Sequence, residues 1–247
     1  MPAIWNSILS TGPSELSFGP AGRERPLQIR RRPGARSVRL TVDPRTGAIT
    51  LSLPPRHSLR AALAWAEGQH RWVEDALSRI PVPRPIYPGG PFPFEGRDLI
   101  VDWCEGLTRT VRHEDDRLVF GGPLDAVASR VLGWARKQAL ERMTRETHEI
   151  AAKAGVSIGR VSVADPRARW GSCSANGDIR YSWRLVMAPV YVRRSTVAHE
   201  VAHRVHMDHS PAFHALAAKL YGGDPDEARA WLRAHGSALH WVGRETS

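Results

Sequence analysis

The sequence predicts an α+β protein in which a β-hairpin-rich N-terminal region is followed by a small domain built around one functional helix. Short segments that alternate apolar and polar residues fill the first half of the chain, and such alternation is typical of half-buried strands. Helical spacing of apolar residues then dominates from residue 124 onward. A proline-rich connector separates the two regions, so we expect domains over 1–93 and 94–247.

The N-terminal region contains one clear hairpin. "SVRLTV" alternates Val38, Leu40 and Val42, "AITLSL" alternates Ile49, Leu51 and Leu53, and "DPRTG" joins them with turn residues. Ser58 is a candidate N-cap for a helix whose apolar positions continue to Ile80. Residues 81–93 hold six prolines and two glycines, which predicts a stiff connector.

The second domain is predicted to begin with strands across 98–120, in which "EDD" forms a turn. A helix is predicted over 124–154, and Leu140 is expected to be one of its buried residues. A hairpin over 170–187 turns at Asn176-Gly177, because that pair suits a two-residue turn with positive φ. The last elements are an HExxH helix over 189–207 and C-terminal helices, which begin at Ser210-Pro211 and after Asp224.

Charge and cysteine content limit the classes of protein. The net charge is +10, and 32 of the 35 basic residues are arginines, most densely placed between Arg23 and Arg39. A nucleic-acid partner for this arginine-rich surface is one interpretation. The other is a solvated basic surface, since a GC-rich genome enriches arginine in any protein. Two cysteines are too few for a disulfide framework or a four-thiolate metal site.

The chain shows no pattern for secretion or membrane insertion. Its first residues lack the basic and apolar regions of a signal peptide, and no apolar run reaches about 18 residues. We therefore expect a cytoplasmic protein with no membrane partner.

The strongest functional signal is the H-E-x-x-H motif formed by His199, Glu200 and His203. Residues four apart share one face of a helix, so both imidazoles can reach one metal ion. Glu200 lies about 100° around the helix from His199, beside the ion but not on it. Composition alone would give about 0.03 such matches per chain, so a zinc site is predicted, with Glu200 as the base for a zinc-bound water.

A third protein ligand has several histidine candidates. His206 lies about 10 Å further along a straight helix than His199, too far for both rings to meet one ion. His209 precedes the helix start at Ser210-Pro211, where the chain has turned, and is the predicted third ligand. His214 could contact substrate or lie free on the surface.

These residues give the chain a resemblance to the YgjP-like metallopeptidase family, small zincins related to the SprT-like proteases. "RWGSCSANGDIRYSWRL", the following "AP" and "VAHEVAH…HSPAF" occur in the family's order. The resemblance implies a zincin-like metallopeptidase domain in which His199, His203 and His209 bind zinc and Glu200 is catalytic. Val201 and His214 depart from the family's usual Leu and Trp, the latter at one wall of the cleft.

The "WGSCS" hairpin is the predicted guide for an extended peptide or protein substrate, because zincins often align substrate along a strand beside the active-site helix. Arg180, Tyr181 and Arg184 are candidates for substrate binding and oxyanion stabilisation. Cys173 is predicted to be a small buried residue, since a fourth protein ligand would close the metal site.

Three functional interpretations follow. The first is a zinc-dependent hydrolase, specifically a metallopeptidase. The second is a zinc-dependent nucleotide phosphoanhydride hydrolase, although the chain has no P-loop to hold phosphates. The third is a nucleic-acid-associated binding module with structural zinc, which leaves Glu200 without a role.

Overall fold

The computed structural model describes residues 16–19, 25–166 and 168–245. Strands and helices both occur throughout this part of the chain, which confirms the α+β class. The contacts divide the chain into two compact units, one ending at Pro81 and the other beginning at Val82. The sequence-based boundary at residue 93 falls later, because Pro91–Phe94 forms a strand that pairs within the second unit.

The first unit contains a four-stranded mixed sheet. Its strands are β1 (Leu16–Phe18), β2 (Arg25–Arg31), β3 (Arg39–Val42) and β4 (Ile49–Leu53), in the order β1-β2-β4-β3. Strands β3 and β4 form the predicted antiparallel hairpin, with Leu40 opposite Leu51. Strands β2 and β4 run parallel. Of the densest arginine cluster, residues 23 and 24 lie outside the described residues.

Two helices, rather than the single one predicted, cover this sheet: α1 (Leu59–Glu67) and α2 (His70–Ser78). Ser58 caps α1 as expected, its hydroxyl accepting from the Ala61 amide. The helix stops at Gly68, where the backbone amide bonds to the carbonyl of Trp65 in a tighter turn. Apolar residues of both helices, including Ala62, Ala66 and Val73, pack on the buried face of the sheet.

The second unit opens with a sheet of the same strand order, β5-β6-β8-β7. Its strands are β5 (Pro91–Phe94), β6 (Arg97–Trp103), β7 (Arg112–Glu114) and β8 (Arg117–Phe120). The predicted "EDD" turn connects β7 to β8, with Asp115 at φ 52°. Phe92, Phe94 and Leu99 are fully buried in the core of this unit.

The long helix α3 (Val127–Ala154) forms the centre of the second unit, after a 3-10 turn at Leu124–Ala126. Its buried stripe includes Val131, Ala135, Ala139 and Met143, each four residues after the last. Leu140 was predicted to be buried, but it is 40% exposed because it lies one residue off this stripe.

A three-stranded sheet packs beside α3. It consists of β9 (Val161–Ala164), β10 (Gly171–Cys173) and β11 (Ile179–Ser182), in the order β10-β11-β9. The Asn176-Gly177 pair lies in the connection between β10 and β11, but the two-residue turn predicted there does not form. The amide of Gly177 bonds to the Ser174 carbonyl, and of the pair only Gly177 has a positive φ, 90°. Strand β11 ends at Ser182, and a 3-10 turn follows over Trp183–Val186. Strand β10 is therefore an edge of this sheet.

Three helices complete the unit: α4 (Val190–Ala202), α5 (Pro211–Tyr221) and α6 (Pro225–Leu239). The hydroxyl of Ser210 and the carboxylate of Asp224 cap α5 and α6, each followed by proline. Helix α4 carries the histidine motif but ends five residues before the predicted 207. Val205 continues the four-residue spacing of the buried Val197 and Val201 but lies beyond the end of α4, and it is consequently 48% exposed. No helix in the described ranges is both long and apolar enough to cross a membrane.

A buried ion network fixes α4 in place. Arg193 of α4 is 2% exposed, and its Nε and Nη2 atoms donate to the carboxylate of Glu146 on α3 at 2.8–3.2 Å. Its Nη1 atom donates to Glu95, in the turn between β5 and β6, at 2.9 Å. Arg142 of α3 donates to the same Glu95 oxygen at 2.6 Å. One guanidinium thus ties three elements together.

We expect Glu146→Gln to lower the free energy of unfolding by about 3 kcal/mol, because it leaves Arg193 buried with half of its negative partners. Glu149→Gln is the matched control. Glu149 lies about one helical turn after Glu146 on α3, and it forms an ion pair at the surface with Arg194, the residue that follows Arg193 on α4. The free energy of unfolding of Glu149→Gln should fall by less than about 1 kcal/mol. Urea unfolding of both variants measures the difference, and equal losses would contradict the anchoring role of Arg193.

Candidate metal centre

The end of helix α4 brings the predicted ligands together. The helix stops at Ala202, and tight turns follow in which the amides of Val205 and His206 both bond to the Ala202 carbonyl. The chain then returns to the helix before α5 begins. The Nε2 atom of His209 lies 3.4 Å from the Nε2 atom of His199 as a result.

Three imidazoles converge at this point: those of His199, His203 and His209 each offer a nitrogen within 4.8 Å of the others. The Nδ1 atom of His203 donates to the carbonyl of His206 at 3.0 Å, which leaves the lone pair of its Nε2 atom free to bind a metal. Two nitrogen ligands of a tetrahedral zinc lie about 3.3 Å apart, given Zn–N bonds of about 2.0–2.1 Å. The 3.4 Å separation of His199 and His209 fits this donor set.

His206 takes part through its backbone. Its carbonyl holds the ring of His203, while its own ring is not among the three clustered imidazoles. The prediction that favoured His209 over His206 therefore agrees with the positions of the rings.

The electrostatic setting of the cluster favours the neutral form of two of its imidazoles, His199 and His203. Burial lowers the pKa of His199 to about 4, and the neighbouring His203 and His209 act in the same direction. Burial also lowers the pKa of His203. Neutral imidazole is the form that binds a metal, so these two rings are ready to do so at neutral pH.

Glu200 lies beside the cluster without joining it. The residue is 5% exposed, and burial raises the pKa of its carboxyl to about 7, with the charge of Arg169 acting in the opposite direction. Its closest neighbour across the helix–strand boundary is Gly171 of β10. A Cβ atom at position 171 would overlap Oε1 of Glu200 and lie 2.7 Å from its Cδ. Only glycine leaves room there for the carboxyl group.

A cleft of about 430 Å³ opens over His199 and Glu200. Helices α4, α5 and α6 and the start of strand β10 form its walls, and His214 and Arg169 are among the side chains that line it. His214, for which the sequence left substrate contact and a free surface position open, lines the cleft. Arg180 lies outside the cleft, in an adjoining groove over the third sheet.

Tyr181 and Arg184 do not line the cleft, contrary to the prediction that they could bind substrate. Tyr181 is fully buried, its hydroxyl 2.9 Å from that of Thr147, and burial raises the pKa of the phenol. Arg184 is held by both carboxylate oxygens of Asp165, at 2.8 and 2.9 Å, and by the carbonyl of Leu239. The polar groups of both side chains therefore form hydrogen bonds within the fold.

Cys173 is partly buried and lies outside the histidine cluster. Its thiol contacts the Ser174 carbonyl at 3.5 Å, and burial raises its pKa. The prediction that Cys173 is buried is thus only partly met, because it lies on the edge strand β10.

Sequence reasoning gave no role to two residues that shape the site, Gly171 and Phe213. Phe213 of α5 is fully buried beneath the imidazoles: its ring stacks on His203 at 4.4 Å between centroids and meets His199 and His209 edge-on at 4.8 and 4.9 Å. The sequence feature that could have identified Phe213 is its position in the first turn of the helix that begins after Ser210-Pro211. The signal for Gly171 was a glycine inside a strand, which often marks a close approach.

A buried carboxyl next to three converging imidazoles, in an α+β fold, is the arrangement of a metal-dependent hydrolase. The family model of the YgjP-like metallopeptidase domain matches residues 36–235, and the chain belongs to this family. Neither a curated protein nor a solved structure gives a match to the chain.

We expect Gly171→Ala to displace the Glu200 carboxyl, because the added methyl group occupies the space of Oε1. Peptide hydrolysis should fall by about 100-fold, the lower end for loss of a general base, while metal content is retained. Gly133→Ala is the control, since a Cβ at this exposed helical position meets nothing within 4 Å. Metal analysis and turnover of both variants test this, and an active Gly171→Ala protein would contradict the close approach.

Proposed function

We propose that the protein is a zinc-dependent peptidase in which His199, His203 and His209 hold the zinc ion and Glu200 is the general base. The observation that carries the proposal is the convergence of three imidazoles with Glu200 beside them and outside the set. Three protein ligands leave a position open for water or substrate, as catalytic zinc sites do. Membership of a metallopeptidase family supports the same reaction class.

Bound zinc would polarise the substrate carbonyl and lower the pKa of an attacking water. Glu200 accepts the proton from that water and passes it to the amine that leaves. Its burial suits both steps, because it brings the pKa of the carboxyl near neutrality, where a group can take and return a proton. His206 and Phe213 hold the ring of His203 in position.

We expect Glu200→Gln to bind zinc and melt at the wild-type temperature but to lose about 100- to 10,000-fold in turnover. Glutamine keeps the size of the side chain and removes the proton acceptor. Glu227→Gln, an exposed change on α6, is the control and should keep full activity. Turnover is measured on peptide and nucleotide substrates with one preparation. Full activity in zinc-loaded Glu200→Gln would refute the base, and loss of zinc would make Glu200 a structural residue.

The ligand set makes a separate prediction. Wild-type protein should carry about one zinc ion per chain. His209→Ala should lower zinc affinity strongly, because it removes a ring that lies 3.4 Å from His199. His206→Ala should change it little, since the contact to His203 comes from the backbone carbonyl. Competition with a chromophoric chelator measures both affinities, and the reverse order would show that the third ligand is wrongly assigned.

A further inference from the structure

The outer face of the third sheet forms a groove next to the cleft. Ile179 and Tyr181 of β11 point into the core, so Arg180 between them points outward. The strand register places Arg180 between Ser172 of β10 and Ser162 of β9 in one cross-strand row. This row lines a groove of about 780 Å³, which we call the arginine groove.

The arginine groove has an excess of positive charge. The groove is lined by three positively charged side chains, Arg160, Arg169 and Arg180, and by one negatively charged side chain, Asp178. The two carboxylate oxygens of Asp178 accept from the backbone amide of Arg160 at 2.7 Å and from Asn176 at 3.1 Å, so they stabilise the hairpin turn. Within the described part of the chain, none of the three guanidinium groups forms an ion pair.

The groove and the cleft are continuous, because Arg169 lines both. Strand β10 runs between them: Gly171 touches the Glu200 carboxyl, and Ser172 and Cys173 follow along the groove. Strand β10 is also the edge of its sheet, with main-chain groups open to an extended chain. A chain that places a carbonyl at Glu200 and continues along β10 from Gly171 towards Ser172 comes within reach of Arg180, which lies opposite Ser172 in the sheet.

The wall of the cleft that α6 forms lacks this excess of charge. Arg229 lines it together with Asp226, and the two side chains form an ion pair. Positive charge without a partner is therefore concentrated on the β10 side.

We propose that the arginine groove selects peptides with acidic side chains on the side of the scissile bond that lies along β10. This proposal rests on the proposed peptidase function and names its substrate class. Carboxylate groups are the peptide side chains that pair with guanidinium, and a solvent-open groove allows them to keep part of their hydration. Arg180 acts on specificity, not on the reacting bond.

Binding to zinc-loaded Glu200→Gln protein tests the groove without requiring turnover. The probes are two fluorescein-labelled ten-residue peptides that differ only in carrying three Glu or three Gln residues in their second half. We expect the Glu peptide to bind more tightly, with a preference that weakens as salt rises. Adding Arg180→Gln to the Glu200→Gln protein should reduce the affinity for the Glu peptide about fivefold, which corresponds to the loss of one exposed ion pair. Adding Arg180→Glu instead should reduce the affinity for the Glu peptide further.

Arg145→Glu is the matched control, because it makes the same charge change at an exposed position of α3 outside the groove. It should leave the preference unchanged. Equal or undetectable binding of the two peptides, or an equal effect of Arg145→Glu, would overturn the proposal. So would binding of DNA or RNA oligonucleotides that depends on Arg180 while the peptides show no preference.

Cleavage by the wild type is scored separately, by mass spectrometry of a mixed peptide library. Acidic residues enriched on one side of the cut sites support the proposal, and cut sites without them count against it. Absence of cleavage together with a Glu preference in binding would refute the peptidase function and leave the selectivity of the groove standing.

Discussion

The buried guanidinium of Arg193 is the constraint on which the site depends. A charge that is 2% exposed is tolerable only when it is paired, and Arg193 finds its partners on two other elements, Glu146 of α3 and Glu95 of the β5–β6 turn. The same turn bonds through the amides of Glu95 and Gly96 to the carbonyls of Val186 and Met187, just before α4 begins. Both the start and the first turns of α4 are thereby fixed. His199 follows Arg193 by six residues, about 9 Å along the helix, so its position is set by the same contacts.

The metal cluster exists because α4 ends early. On a straight helix only His199 and His203 could meet one ion, and any third ligand would have to come from another segment. Termination at Ala202 lets one short turn do two things: the His206 carbonyl orients His203, and the His209 ring returns to His199. Helix α5 then begins at Pro211, and its Phe213 fills the space beneath all three rings. The loop is held at both ends, by the last turn of one helix and by the Ser210 cap of the next.

Those features that depend on local spacing could be predicted from the sequence. The histidine pair four residues apart, the helix start at Ser210-Pro211 and the β3–β4 hairpin are properties of residues close in sequence, and all three are present.

The errors arose where contacts between distant parts of the chain determine the direction of a side chain. The same strand alternation and loop chemistry are compatible with Tyr181 and Arg184 facing either way, and only Thr147 and Asp165, far along the chain, show that both face the fold. The predicted end of α4 lies five residues too late, the break at Gly68 was missed, and Leu140 lies one residue off the buried stripe, since hydrophobic spacing leaves helix ends and stripe edges poorly defined.

Gly171 connects the proposed base, Glu200, to the proposed path of the substrate along β10. Its missing side chain lets β10 approach α4 until its backbone lies against the Glu200 carboxyl, which closes that side of the carboxyl to water and contributes to the raised pKa. The close approach also fixes the distance between the open edge of β10 and Glu200. An extended chain on that edge would therefore be held at a constant distance from the base, whatever its side chains are, because main-chain hydrogen bonds set its position. Side-chain selection is then left to the residues on the outer face of the sheet. Positioning and selectivity thus reside on the same three-residue strand and its neighbour β11.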